Sequence, residues 1–444
     1  MNIVYQFLTF LVVLGIIVLV HEFGHYIAAR LMKIRVEVFS FGFGRRLFGR
    51  KFGDTDFRVS LVPVGGYVRM AGEEEYDSTH PAPDQFMAKN RAQKIFTLVL
   101  GPLMNLVLAL VLIAAVNMTG VETDSYRLEK PVIGYVVQGS PAEKAGFKPG
   151  DVLLAINNRK TPDWKEVELM VGTNAKETLT LDFLRNGARN RTQMKVASGS
   201  QPEIGYAGFL WQLPAEIDQV APDYPAARAG LKPGDRITAV DGEPVASYFA
   251  LADIIRAAPG KKLQLTVQRG GEAIAAEVVP VLENKVGVIG FNVKLATTKI
   301  QYGFAAAVKN SFQEAGRLIR LTFDAFRKIA QRKMSMKSFS GPIEIARYSQ
   351  QALASGFANF FMLIAFISLQ LGIVNLFPIP GLDGGHLLIL AIETAIRRDL
   401  NAKLKTILLY AGFAFLLALM GYVLLNDIAK TMPHGWQSLL PFLK

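Results

Sequence analysis

Residues 3–25 read IVYQFLTFLVVLGIIVLVHEFGH. From Ile3 to Val20 there is no charged side chain and a single amide, Gln6, before two imidazoles and a carboxylate arrive at His21, Glu22 and His25. A spanning helix needs about 20 mostly apolar residues, so these three groups lie within the hydrocarbon or at its edge. Ionisable groups are costly there and as a rule carry function, whereas a lone buried histidine is more often a satisfied core residue. Residues four apart share one face of a helix, so His21 and His25 can bind one metal ion while Glu22 projects beside it toward a bound water. Two imidazoles plus a carboxylate suit zinc, and an open fourth position would bring its water to near neutral pKa with Glu22 as general base. This is hydrolytic chemistry.

The whole chain fits a membrane setting. Of 444 residues 51% are hydrophobic and 19% charged, and the mean hydropathy of +0.26 is high for a soluble protein. Three further stretches without charge, Ile95 to Val121, Tyr348 to Leu382 and Thr406 to Asn426, are each long enough to span, which predicts four transmembrane helices. The first lacks a cationic leader and a small-residue cleavage site, so it is expected to remain as a span. Nine cations from Arg30 to Arg69 follow it, and Lys89, Arg91 and Lys94 precede the second span. By the positive-inside rule this loop is cytoplasmic, as is the connection carrying Arg397, Arg398, Lys403 and Lys405, and both termini face outward. The net charge of +12 therefore flanks spans and does not mark a nucleic-acid surface. With no cysteine, thiolate ligands, a cysteine nucleophile and disulfides are excluded.

Between the second and third spans the sequence is duplicated at a period of 84 residues. PAEKAGFKPGD from Pro141 to Asp151 recurs as PAARAGLKPGD from Pro225 to Asp235, and the same offset pairs Arg185 with Arg269. Each copy predicts a Pro-Gly-Asp turn ahead of a buried strand (Val152 to Ile156, Ile237 to Val240), a helix, and a hairpin closed by Asn186-Gly187 or Gly270-Gly271. The pattern resembles PDZ domains, which take peptide ends by strand addition or act as a steric gate. Val308, Phe312, Ala315, Ile319, Phe323, Phe326 and Ile329 repeat at helical spacing with cations between them, an amphipathic helix for the membrane surface or for packing on the repeats.

The cytoplasmic loop holds strand-like runs, Val36 to Phe43 and Phe57 to Met70. Lipid cannot satisfy an open edge, so strands here are buried in protein or line a wet cavity. A helical substrate must unwind before its carbonyls can be attacked, and the edge around Gly65, Gly66 and Tyr67 is the candidate to hold it extended. A third metal ligand is needed. Glu37 lies beyond the cationic end of the helix and His80 in a Pro-rich loop; Asp383, in NLFPIPGLDGGH from Asn375 to His386, follows two prolines that break the helix and re-aim a carboxylate inward. His386 is an alternative ligand, and an Asp that merely caps the next helix is the structural alternative. Asn375 is a candidate donor to substrate backbone or a developing oxyanion, or a residue that satisfies the broken helix. Arg30 lies five residues past His25, which puts the metal roughly 8–14 Å inside the cytoplasmic boundary.

HEFGH in the first span, Gly101-Pro102-Leu-Met-Asn105 in the second, the tandem PDZ-like repeats, Gly341-Pro342-Ile-Glu-Ile and NLFPIPGLDGG together resemble the site-2 protease family over nearly the whole chain. The resemblance implies an intramembrane zinc metalloprotease of the bacterial inner membrane with one Zn2+ held by His21, His25 and Asp383, Glu22 as catalytic acid/base, and periplasmic PDZ domains. It also implies transmembrane substrates of the anti-sigma factor type, and signal-peptide remnants. The expected architecture is a polytopic α-helical membrane protein with membrane-associated β-hairpins: 1–121 with the first two spans, 122–208 and 209–298 as PDZ domains, 299–347 as an amphipathic linker, and 348–444 with the last two spans. One departure is Gln370, where many relatives have Asn. A non-catalytic PDZ adaptor would have no need of Glu22, and an ion pathway would need repeated polar spans that are missing from the sequence.

Overall fold

The computed structural model describes residues 3–73, 81–199, 204–334 and 340–431. They fall into two units, Met1–Val121 with Ile300–Lys444, and Glu122–Lys299.

The helices of the first unit are α1 (Ile3–Leu31), α2 (Arg91–Thr119), α3 (Phe304–Ala330), α4 (Pro342–Ala354), α5 (Phe357–Asn375), α6 (Asp383–Ile396) and α7 (Ala402–Thr431). Among them α1, α2, α5 and α7 are long and apolar enough to cross a membrane. Asn90 and Gln93 form a capping box at the start of α2, each side chain accepting from the other's backbone N–H. The third charge-free stretch, expected as one span from Tyr348 to Leu382, is divided: α4 ends at Ala354, and Gly356 at φ +110° turns the chain before α5 begins. The amphipathic helix forms as α3, and part of it packs on α2 and α5. Its Ala315 is buried with Ala109 and Ile113 of α2 and with Ala365, Leu369 and Ile373 of α5, the Phe326 ring meets Phe377 at a tilt, and Thr322 hydrogen-bonds Gln370 of α5 at 2.9–3.0 Å. Gln370 is thereby a tie between two helices.

The strand runs extend further than the sequence suggests. β1 (Val36–Phe52) and β2 (Thr55–Met70) each bend, so that Val38–Phe41 pairs on one side with Gly66–Arg69 and on the other with Asp56–Val59, which in turn pairs with Arg46–Lys51. Residues 66–70 are thus the outer strand on one side. Its outward amides are not left bare: Val68 N–H donates to Glu22 Oε2 at 2.9 Å and Met70 N–H to Glu73 Oε2 at 3.3 Å. Two carboxylates occupy positions that a further strand would take.

The second unit is built twice on one plan. In the first copy Val152–Ile156, Thr178–Arg185 and Ala188–Lys195 form an antiparallel sheet edged by Arg159–Lys160; in the second the equivalents are Arg236–Val240, Leu263–Arg269, Glu272–Val278 and Glu243–Pro244. Arg185 grips Asp151 through two bonds of 2.7 Å and also reaches the Gly146 carbonyl; Arg269 grips Asp235 at 2.6 and 2.7 Å and reaches Gly230. Both carboxylates are almost fully buried, and bidentate pairing satisfies them. The Arg269 guanidinium holds the Asp235 carboxyl below the usual carboxylate range. The copies touch through Tyr135, whose hydroxyl donates to Asp253 at 2.5 Å, and through Trp211, which stacks on Tyr126 and meets Phe249 edge-on.

Candidate functional site

α1 carries His21 and His25 one turn apart on its buried face, each 7% exposed. Their Nε2 atoms stand 3.2 Å apart. α6 supplies the third group: Asp383 Oδ2 lies 3.2 Å from His21 Nε2, and its Oδ1 lies 3.4 Å from His25 Nε2. Donors about 2.0–2.1 Å from a tetrahedral zinc ion stand about 3.3 Å from one another, so this triangle has the edge length that a single zinc face requires. Among the described residues it is the group of His and acidic side chains with ligand atoms close enough to hold a metal. Two imidazoles turning their Nε2 atoms to each other and to a carboxylate fit a cation between them.

Why the chain brings these groups together is local. Pro378 and Pro380 prevent α5 from continuing, and the chain restarts as α6 with Asp383 in its first turn. At that position an acid could have capped the helix, but no capping bond forms and the carboxylate reaches across to α1 instead. α2 closes the other side. A Cβ on Gly101 would lie 2.2 Å from His25 Nε2, and one on Gly24 would lie 2.4 Å from the Leu100 carbonyl, so glycine on both helices permits an approach that any other residue would block. Through that approach α2 reaches both ring Nδ1 atoms. The Thr97 carbonyl is 2.9 Å from His25 Nδ1, and the Asn105 amide is 3.3 Å from His21 Nδ1.

Glu22 is half-buried on the same turn as His21, with one oxygen held by Val68 N–H. Gly65 turns the chain into the outer strand, Gly66 pairs with Phe41, and Tyr67 pairs with Ser40 while its hydroxyl accepts from Arg58 and its ring stacks on Phe43. Asn375 ends α5, half-buried, with no side-chain hydrogen bond among the described residues. The other residues weighed as ligands have other surroundings. Glu37 is paired with Arg35 and Arg69, His80 lies outside the described residues, and His386 lines a small cavity with Phe86, Lys94 and Glu393.

A family model for peptidase family M50 matches residues 9–419, almost the full length. The chain belongs to peptidase family M50. Relatives match end to end: the regulator of sigma-E protease RseP of Escherichia coli is 32% identical over 95% of this chain and 98% of its own. A protein of Neisseria meningitidis provisionally named a zinc metalloprotease is 31% identical over 96% and 99%. In solved structures, the PDZ domain of an SdrC-like protein from Listeria monocytogenes is 25% identical over 18% of this chain and 87% of its own, with a TM-score of 0.17. This M50 peptidase is accordingly an enzyme of the site-2 protease family, as the combined motifs indicated.

Two partners of the site were not legible from spacing: the Thr97 carbonyl and Asn105. A backbone oxygen leaves no mark in a sequence. Asn105 does leave one, an amide in the middle of an apolar run, where a polar side chain asks for a partner.

Proposed function

We propose that this M50 peptidase is an intramembrane zinc endopeptidase that hydrolyses peptide bonds within the membrane segments of single-span proteins. The observation that carries the reading is the triangle of His21, His25 and Asp383 donors at 3.2–3.4 Å, with the Glu22 carboxylate on the adjoining helical position. His21, His25 and Asp383 would hold one zinc ion. Bound there, zinc supplies a Lewis acid that brings the pKa of a water near neutral and polarises the scissile carbonyl. Glu22 takes the proton of the attacking water and returns it to the leaving amine. Asn375, whose amide has no partner of its own among the described residues, donates to the carbonyl oxygen as it gains charge.

The outer strand at 66–70 presents the substrate. Added to this edge through Gly65, Gly66 and Tyr67, an extended segment competes with Glu22 for Val68 N–H and leaves the carboxylate free to act as base. The chain has no cysteine, so a single one introduced at Val62, which is 49% exposed, is a unique probe. It should form a disulfide with a cysteine in the substrate's span when turnover is blocked; cross-linking no better than from Leu404 on α7 would remove the edge from the mechanism.

The relatives in Escherichia coli and Salmonella named regulators of sigma-E protease support a role in the bacterial inner membrane, with anti-sigma factors as substrates and an envelope stress response as output. In that setting the two repeats are periplasmic PDZ domains, residues 122–208 and 209–298. They bind substrate peptides or exclude bulky ones, the catalytic site lies toward the cytoplasmic face, and both termini face the periplasm. The test is reconstitution in vesicles with a single-span substrate. Chelation should abolish cleavage and one equivalent of zinc should restore it; cleavage that survives complete removal of metal would refute the assignment.

A further inference from the structure

We propose that Asn105 is a positioning residue for the metal, its amide oxygen accepting the Nδ1–H of His21. The inference rests on the zinc-protease reading above and deepens it.

The argument begins with the proton count of an imidazole. A neutral ring that gives the Nε2 lone pair to a metal carries its only proton on Nδ1, so Nδ1 becomes a donor and needs an acceptor. For His25 the acceptor is plain, the Thr97 carbonyl at 2.9 Å. For His21 the group within reach of Nδ1 is the Asn105 side chain, with Nδ2 at 3.3 Å. Asn105 is fully buried, and its Oδ1 is buried with no hydrogen-bond partner among the described residues. The two ends of a carboxamide have nearly the same shape, and which one faces a neighbour is decided by hydrogen bonding. With its nitrogen toward the ring, the amide can donate to Nδ1 only when the His21 proton is on Nε2, where it would point at Asp383 and exclude a ligand bond. With His21 bound through Nε2 the amide must be turned, and the oxygen now orphaned becomes the acceptor of Nδ1–H. One rotation meets the needs of both groups.

The residue is well held for such a task. The Asn105 carbonyl accepts from Ser368 Oγ at 2.9 Å, which ties this point of α2 to α5. α2 therefore fixes both ring planes, His25 through a backbone oxygen and His21 through a side chain, and only the second can be altered by mutation.

The experiment uses the full-length protein in detergent, titrated with zinc against a competing chelator and with cobalt followed by its d–d absorption. Asn105→Leu, close in volume without an acceptor, should weaken zinc binding about 10–100-fold. Asn105→Asp, which keeps an oxygen toward Nδ1, should stay within about threefold of wild type and retain the cobalt spectrum. Should the leucine variant fail to melt cooperatively without metal, Asn105→Ala serves with the same expectation. Wild-type affinity in the variants without an acceptor overturns the proposal. So does an equal loss in Asn105→Asp, since that would mark packing and not the hydrogen bond.

Discussion

Glu22→Gln is expected to leave a protein that folds, binds one zinc and does not cut. The glutamine carbonyl can still accept from Val68 N–H, so the contact with the sheet edge is kept. The three ligand side chains are untouched. What is lost is a group able to take a proton, and general-base contributions of about 10²–10⁴ put the fall in turnover near the upper part of that range, because nothing else on this face of α1 can replace it. The measurement is cleavage of a single-span substrate in vesicles alongside zinc content by elemental analysis. Full zinc occupancy with cleavage within tenfold of wild type would eliminate Glu22 as the base. An adaptor without hydrolysis makes the opposite forecast, no cleavage in either protein.

Asp383→Ala is expected to empty the site. Removing the carboxylate leaves two imidazoles facing each other at 3.2 Å and takes away one of the three groups that would hold the ion. Loss of a ligand should exceed the effect of losing a partner that merely orients one, so zinc affinity falls by more than about 100-fold. Cleavage should vanish in parallel, and excess zinc should rescue it poorly. The check is zinc competition with a chromophoric chelator on the wild type and the variant. Affinity within tenfold of wild type would show that the ion is held elsewhere, and His386, one turn further along α6, would then be the next ligand to replace.

The parts of this molecule readable in advance are those in which a local pattern has one physical solution. Long charge-free runs can only be spans or core, and four of them gave four helices of the right length. HEFGH brings two imidazoles together because four residues make about one turn, and P-x-P-x-x-D brings a carboxylate to them because two prolines end a helix. The limits have equally physical causes. The charge-free stretch from Tyr348 to Leu382 gave no sign that Gly356 would break it, since hydropathy is blind to a positive φ. The helix α3 announced its apolar face but not its partner, because the sequence of one surface does not name the other. β1 and β2 outran their predicted ends because pairing, more than composition, decides where a strand stops. Gln370 stood out only as a departure from its relatives, and its hydrogen bond to Thr322 of α3 needed the packing of two helices to appear.

The triangle of donors has one more implication, for biosynthesis. Two of its corners are made within the opening helix, whereas the remaining one is translated only after both repeats and α5 have been made. A growing chain therefore lacks the third corner of the triangle, and with it the proposed hydrolytic centre, until synthesis has passed Asp383.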